Sequence, residues 1–316
     1  MTSVNYDVLS PIRFLERSAS VYPDNIAVVH GSIRRTYSEF HTRVYCLAAA
    51  LAEAGIKKGD KIAFISPNTP AMLEAHFAVP MIGAALVAVN IRLSPKEVGY
   101  IINHSESQIV FVDNEFADRI EPVKEDLPHV RRIINICDVS YDMPLPGTDY
   151  ESFLETGAGR EAPFLVEDEL EVATINYTSG TTGSPKGVMY HHRGAYLNAM
   201  GELIEFGLTQ DSNYLWTLPM FHCNGWCFPW AVIAAGATHV CLRKVEPETI
   251  YRMIDTEQIT HLCAAPTVLI GLSEYAVKNE IQLDHHLEIM TAGAPPAPQV
   301  ILNMEQVGAN ITQTYG

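Results

Sequence analysis

The stretch YTSGTTGSPKGVMY, residues 177–190, packs three glycines, two serines, three threonines and one lysine between apolar ends. Its setting decides the fold class. VATINY (172–177) is a short apolar run with β-branched residues and predicts a strand, and residues 190–206 predict a helix. A glycine-rich loop just after a strand lies where α/β sheets hold ligands, outside the carboxyl ends of strands. Gly180, Gly183 and Gly187 let the backbone take unusual φ and ψ and approach a ligand closely. Thr178, Ser179, Thr181, Thr182 and Ser184 supply hydroxyls, successive N–H groups can form an anion-binding concavity, and Lys186 adds a point charge. This is not a Walker A loop, because Lys186 stands between Pro185 and Gly187 with no hydroxyl residue after it. From the residues alone two readings stand: a polyphosphate cradle, or a flexible surface turn between strand and helix.

The same rhythm runs through the chain. SEFHTRVYCLAAALAEAGI places Val44, Leu47, Ala48 and Leu51 on one helical face, with Gly55 as a stop. KIAFI (61–65), GAALVAV (83–89), QIVFV (108–112) and RIINI (132–136) read as strands. Ser94, Pro95 and Glu97 mark a helix start as N-cap, N1 and N3. NYLWTL (213–218), THVCL (238–242), THLCA (260–264), LEIMT (287–291) and NITQT (310–314) read as further strands, and residues 247–258 and 296–308 as helices. Alternating elements of this kind predict an α/β fold with parallel or mixed sheets flanked by helices. Residues 138–170, rich in Pro, Gly and acids, read as a surface connection between subdomains at 1–165 and 166–316.

Composition narrows the function. The chain has 316 residues, 47% of them hydrophobic, enough for a sizeable core. A formal net charge of −16 opposes general nucleic-acid binding, though not a nucleotide ligand. No apolar run approaches the ~18 residues of a membrane span, and the N-terminus lacks a signal-peptide pattern. The six cysteines are scattered in apolar runs; Cys223 and Cys227 match zinc spacing only loosely, with no second pair to complete a site. These features predict a cytoplasmic, reducing compartment. The doublets His191–His192 and His285–His286 lack a third ligand, so solvated or capping roles are expected.

YTSGTTGSPKGV resembles the signature loop of the adenylate-forming superfamily, which includes acyl-CoA synthetases, luciferases and nonribosomal adenylation domains. RTYSEF (35–40), GIKKGDKIAFISPN (55–68) and residues 83–113 are similar to early motifs of that family, LPMFHCNGW (218–226) to its acyl-pocket loop, TAGAPPAP (291–298) to its adenine-pocket loop, and TQTYG (312–316) to the start of a further motif. FHCNGWCFPW most resembles the plant acyl-activating and methylmercaptopropionate–CoA ligase branches.

The resemblance implies ATP-dependent activation of a carboxylic acid, short- or medium-chain fatty or related, first to an acyl-adenylate and then to an acyl-CoA. It implies ATP, Mg2+ and coenzyme A as cofactors, a small carboxylic acid as partner, and leaves a homodimer open. Carried over by position, Thr178, Ser179, Gly180, Thr181, Thr182, Gly183 and Lys186 would serve the ATP phosphates, with Gly183 and Gly187 allowing loop movement. Gly293, Ala294 and Pro295 would line the adenine pocket, with Tyr315 stacked on the base and Gln313 beside it. His222, which alone would read as a core histidine, would face the carboxylate end of the acyl pocket. Trp226 and Trp230, four apart on one helical face, read as core aromatics or as pocket walls that shorten the channel.

The family's next residues, a Thr for the α-phosphate, a Glu for magnesium and a later ribose-binding Asp, fall after Gly316, as do the hinge and the small C-terminal lid with its lysine. The expectation is therefore an N-terminal portion, residues 1–316, that does not complete adenylation alone. The alternatives are a non-catalytic nucleotide- or acyl-binding or interaction module, and a luciferase-like or nonribosomal adenylation domain.

Overall fold

The computed structural model describes residues 5–178 and 184–315. Along the chain run α1 (Ile12–Val21), β1 (Ile26–His30), β2 (Ile33–Thr36), α2 (Tyr37–Glu53), β3 (Lys61–Ile65), α3 (Pro70–Met81), β4 (Ala85–Ala88), α4 (Pro95–Ser105), β5 (Ser107–Asp113), β6 (Arg132–Ile136), β7 (Thr148–Asp149) and α5 (Tyr150–Glu155). Then follow β8 (Val172–Tyr177), β9 (Gly187–His191), α6 (His192–Glu205), β10 (Asn213–Leu215), α7 (Phe228–Ala235), β11 (Thr238–Val240), α8 (Pro247–Thr256), β12 (His261–Cys263), α9 (Pro266–Lys278), β13 (Leu287–Thr291), α10 (Pro298–Val307) and β14 (Ala309–Gln313).

The strands build two seven-stranded sheets, ordered β7-β6-β5-β3-β4-β8-β9 and β14-β13-β12-β10-β11-β1-β2. Each is parallel except for one antiparallel edge pair, β8 with β9 and β1 with β2. The α/β expectation, with mixed sheets flanked by helices, is met. The sheets do not divide at 165/166, however. β1 and β2 lie in the sheet of residues 213–313, and β8 and β9 in the sheet that starts at Lys61.

Two helices fill the space between the sheets. α2 packs on β1 and β2, α3 packs on β3, β4 and β8, and the two helices pack on each other. Every residue of α3 is buried, the pattern of a helix apolar on all sides. Its carboxylate, Glu74, is fully buried and answered on several sides. Arg43 Nε donates to it at 2.6 Å, Arg35 Nη1 at 3.1 Å and the Tyr150 hydroxyl at 2.5 Å. A charge so placed is tolerated only when paired and hydrogen-bonded.

Local signals read from the sequence reappear as geometry. Ser94 and Glu97 form a reciprocal capping box at α4, and Thr36 with Glu39 forms another at α2. Two local readings need correction. The helix read over 190–206 is α6, starting two residues later at His192, but the segment before it is not loop: Gly187–His191 is extended and pairs antiparallel with β8. Cross-strand pairing of GVMYH outweighed its continuation into the helix, and His191 Nδ1 accepts the Gly194 N–H at 2.8 Å to cap α6. Residues 138–170 are not only connection, because they contain α5, capped by Asp149, with Tyr150, Phe153 and Leu154 buried in the core. Six residues are too few to show a helical period among prolines and acids.

Candidate active site

The glycine-rich loop leaves the end of β8 and returns into β9. Its base is closed by the Thr178 N–H donating to the Lys186 carbonyl at 3.0 Å. Ser179, Gly180, Thr181, Thr182 and Gly183 lie outside the described residues. Thr178 and Lys186 are both exposed at the base. Gly187 serves packing within the sheet: a Cβ there would stand 2.9 Å from Ile175 Cγ2 and 3.2 Å from Tyr177 Cζ.

The second component is the segment between β10 and α7. It crosses from one sheet to the other and is held there by asparagines. Asn68 Nδ2 donates to the carbonyls of Trp216 and Leu218, each at 2.9 Å, and its Oδ1 accepts the Met220 N–H at 2.9 Å. Asn176 Nδ2 donates to the Phe221 carbonyl at 3.3 Å, and Asn224 Nδ2 to Thr174 Oγ1 at 2.8 Å. Residues 223–227 then form a left-handed turn, with φ of 49°, 51°, 51°, 59° and 66°. Gly225 adopts this conformation freely and Asn224 readily; Cys223, Trp226 and Cys227 each cost about 1–2 kcal/mol. The surrounding structure must over-determine such a turn. Gly225 is required doubly, since a Cβ there would lie 2.4 Å from Trp216 Cζ3.

This turn separates the two tryptophans. They do not share a helical face, because Trp226 precedes α7 in left-handed backbone while Trp230 sits inside α7. Trp230 is fully buried and donates its indole N–H to the His76 carbonyl at 3.1 Å. Of the two, Trp226 lines the larger cavity beside His222.

His222, at the entry to the turn, borders two cavities. One, of about 170 Å³, is lined by Thr178, Pro185, Tyr177 and Phe221 at the loop base. The other, of about 520 Å³, is lined by Trp226, Leu218, Ala264, Gly293 and Tyr315, and by Asn198 and Glu202 of α6. The imidazole lies 3.8 Å (Nε2) and 4.0 Å (Nδ1) from Cys223 Sγ. That contact raises the pKa of His222, and in return lowers that of the thiol. Burial pushes the nearby Tyr190 hydroxyl up to about 12.

The third component lies at the carboxyl ends of β13 and β14. Thr291 pairs with Gln313, and the Thr314 N–H donates to the Thr291 carbonyl at 2.8 Å. This pairing sets Gly293, Ala294 and Pro295 beside Gln313 and Tyr315 across one sheet end. Gly293 takes φ +96°, and Gly293–Pro295, Gln313 and Tyr315 are exposed. The structure thus brings His222, Trp226, Gly293 and Tyr315 to one cavity and links it through His222 to Thr178.

Asn198 and Glu202 were not among the residues singled out from the sequence. Their signal was available: two polar residues four apart on the helix that follows the loop. Among the described residues no group of three His, Cys, Asp or Glu is arranged to hold a metal. His285 instead donates from Nε2 to the Ile259 carbonyl at 2.9 Å and from Nδ1 to Asp284 Oδ1 at 2.8 Å, and His286 contacts Glu288.

The chain matches the AMP-binding enzyme family over residues 15–316. A 4-hydroxybutyrate–CoA ligase of Metallosphaera sedula is 43% identical across 98% of this chain and 57% of its own length. A peroxisomal acetate/butyrate–CoA ligase of Arabidopsis thaliana is 41% identical across 99% of this chain and 58% of its own. The chain therefore spans a little over half the length of these relatives. Among solved structures, the inhibitor-bound N-terminal domain of FACL13 from Mycobacterium tuberculosis superposes with a TM-score of 0.86 at 24% identity, covering 97% of this chain and 75% of that one. A long-chain-fatty-acid–CoA ligase of Archaeoglobus fulgidus gives 0.87 at 21%, covering 98% and 64%; at these identities the likeness speaks for the fold. With its loop, its two sheets and a family match running to its last residue, the chain belongs to the AMP-binding enzyme family.

Proposed function

We propose that these residues form the ATP- and acid-binding part of an AMP-forming acid–CoA ligase acting on a short carboxylic acid. The observation that carries this reading is the position of His222, shared by the cavity at the loop base and the larger cavity that reaches Gly293 and Tyr315. A nucleotide with its base at the β13–β14 end and its phosphates at the β8–β9 loop would have its α-phosphate near His222. An acid lying against Trp226 and Leu218 would present its carboxylate at the same place.

The chemistry follows from that juxtaposition. A carboxylate oxygen attacks the α-phosphorus, the bond to the β-phosphate bridging oxygen breaks, and pyrophosphate leaves with the electron pair. A thiolate of coenzyme A then attacks the acyl carbon and AMP departs. The protein's part is positioning and charge stabilisation. The imidazole of His222, its pKa raised beside Cys223, would hold the attacking carboxylate and the α-phosphate oxygens on which charge gathers. Lys186 and the loop N–H groups suit the phosphates, which would carry magnesium with them. The wall of Trp226 closes the cavity to long chains, and the relatives named for acetate, butyrate and 4-hydroxybutyrate support a short acid.

Calorimetric titration with a butanoyl sulfamoyl adenosine, a stable mimic of an acyl-adenylate, tests the reading. The mimic should bind at least about 100-fold more tightly than AMP, because it joins two subsites without a second association cost. Equal affinities would refute the joined site.

A further inference from the structure

The larger cavity has two chemically different ends. At one is His222. On its α6 wall is Glu202, the one carboxylate among the described residues lining the cavity, with the apolar side chains of Trp226, Leu218, Ala264 and Ala265 on the wall and Thr314 and Tyr315 at the sheet end. A glutamate on a helix surface is ordinarily solvated. This one is half-buried, and burial pushes its carboxyl up to about 7, with Asn198 one turn earlier opposing the rise by a hydrogen bond. Its charge also reaches the buried Cys227 and Cys263 thiols and the buried Tyr214 hydroxyl. Asn198 is itself anchored, donating Nδ2 to the Trp226 carbonyl at 3.3 Å. The polar pair is therefore fixed to the same turn that carries His222.

We infer that Glu202, positioned with Asn198, selects a short acid bearing a hydroxyl on its chain over the unsubstituted acid. This rests on reading the cavity as the acyl pocket. Asn198 answers only part of the Glu202 carboxyl, so a purely alkyl chain would leave its remaining acceptor sites against apolar atoms, a desolvation cost that a substrate donor removes. A site built to hydrogen-bond a substrate hydroxyl rejects the analogue lacking it far better than an apolar pocket rejects an extra methylene. The donor is assigned as a hydroxyl and not an ammonium, since an environment that favours the neutral carboxyl gives little return for a buried ammonium charge. A second carboxylate on the substrate is disfavoured by like charge.

The test is calorimetric titration of the protein with sulfamoyl adenosines carrying butanoyl, ω-hydroxybutanoyl or ω-aminobutanoyl chains, using sulfamoyl adenosine without an acyl group as reference. The hydroxyl-bearing mimic should bind roughly tenfold tighter than the butanoyl mimic, the gain expected of one hydrogen bond to a carboxyl. Glu202→Leu should invert that preference, while Glu202→Gln, which keeps an acceptor of the same shape, should retain most of it. Equal binding of the hydroxyl and alkyl mimics, a preference untouched in Glu202→Leu, or tighter binding of the amino mimic would overturn the inference and leave the acid-activating reading standing. If no acyl chain improves on the reference, the acid-activating reading fails and this inference falls with it.

Discussion

His222 is the residue on which the chemistry turns, and Gly225 is the residue that lets it be there. Replacing His222 with Ala should leave the fold intact, since its side chain is exposed at the cavity, and should weaken an acyl-adenylate mimic by about tenfold or more. AMP binding should change far less. Replacing Gly225 with Ala acts differently. The added methyl meets the ring of Trp216 at 2.4 Å in backbone of φ +51°, so the fold itself should lose about 1–3 kcal/mol or more. A denaturant titration reads that loss; an unchanged midpoint would mean that the turn relaxes freely. The loop's small polar residues were legible in the sequence because their types are unusual together. His222 alone reads as a core histidine and was singled out only through the family resemblance; the structure places its exposed side chain at the cavity. Glu202 was visible only as one of two polar residues four apart on a helix, which carries no mark of what its wall faces.

Among the elements, the left-handed turn at 223–227 and the strand β9 show where local reading stops. Continuous apolar runs such as KIAFI and QIVFV were legible as strands because burial on both faces writes itself into composition. The turn has one glycine in five residues and no propensity that predicts it. Its conformation is imposed by bonds from the other sheet, Asn224 to Thr174 above all. Asn224 is fully buried, so Asn224→Ala leaves the Thr174 hydroxyl without that donor and releases the turn. A loss of about 1–3 kcal/mol is expected, together with weaker binding of the acyl-adenylate mimic. Binding unchanged at lower stability would show that His222 does not depend on the turn. β9 and α5 were missed for a related reason: each is short, and each takes its form from a partner element, the preceding strand β8 for β9 and the distant helix α2 for α5.

At the scale of the whole molecule, the two sheets exchange strands and share buried charge and buried histidines. Because β1 and β2 pair with strands far along the chain, no window of sequence could have assigned them to the second sheet. Glu74 lies in the layer between the sheets. Glu74→Ala should cost about 3 kcal/mol by removing the Arg35 charge's carboxylate partner and leaving Arg43 with Glu151 alone. The histidines give stability a pH dependence. Burial pushes His76 and His192 down to about 4 and His239 to about 3. The unfolded chain takes up these protons from about pH 6.5, well before the native state does. The stability due to the neutral rings is therefore complete above pH 6.5 and is lost as pH falls through the window down to about 4 and 3. Glu115, held low by its hydrogen bond from Arg243, extends the loss below the ordinary carboxylate range. Glu202, raised by burial, works the other way, disfavouring the fold as pH rises towards 7. Three rings outweigh one carboxyl, so the denaturant midpoint should fall by an amount equivalent to ~2 kcal/mol or more between pH 6.5 and 4.5; a flat profile would contradict the neutral burial of these rings.

The central claim, that nucleotide and acid meet at His222, is tested most directly by calorimetric titration with butanoyl sulfamoyl adenosine against AMP in wild-type protein and in His222→Ala. Two subsites joined at His222 predict an advantage of at least about 100-fold for the mimic in the wild type, reduced about tenfold in the variant. A mimic that binds no better than AMP, or binds both proteins alike, would contradict it.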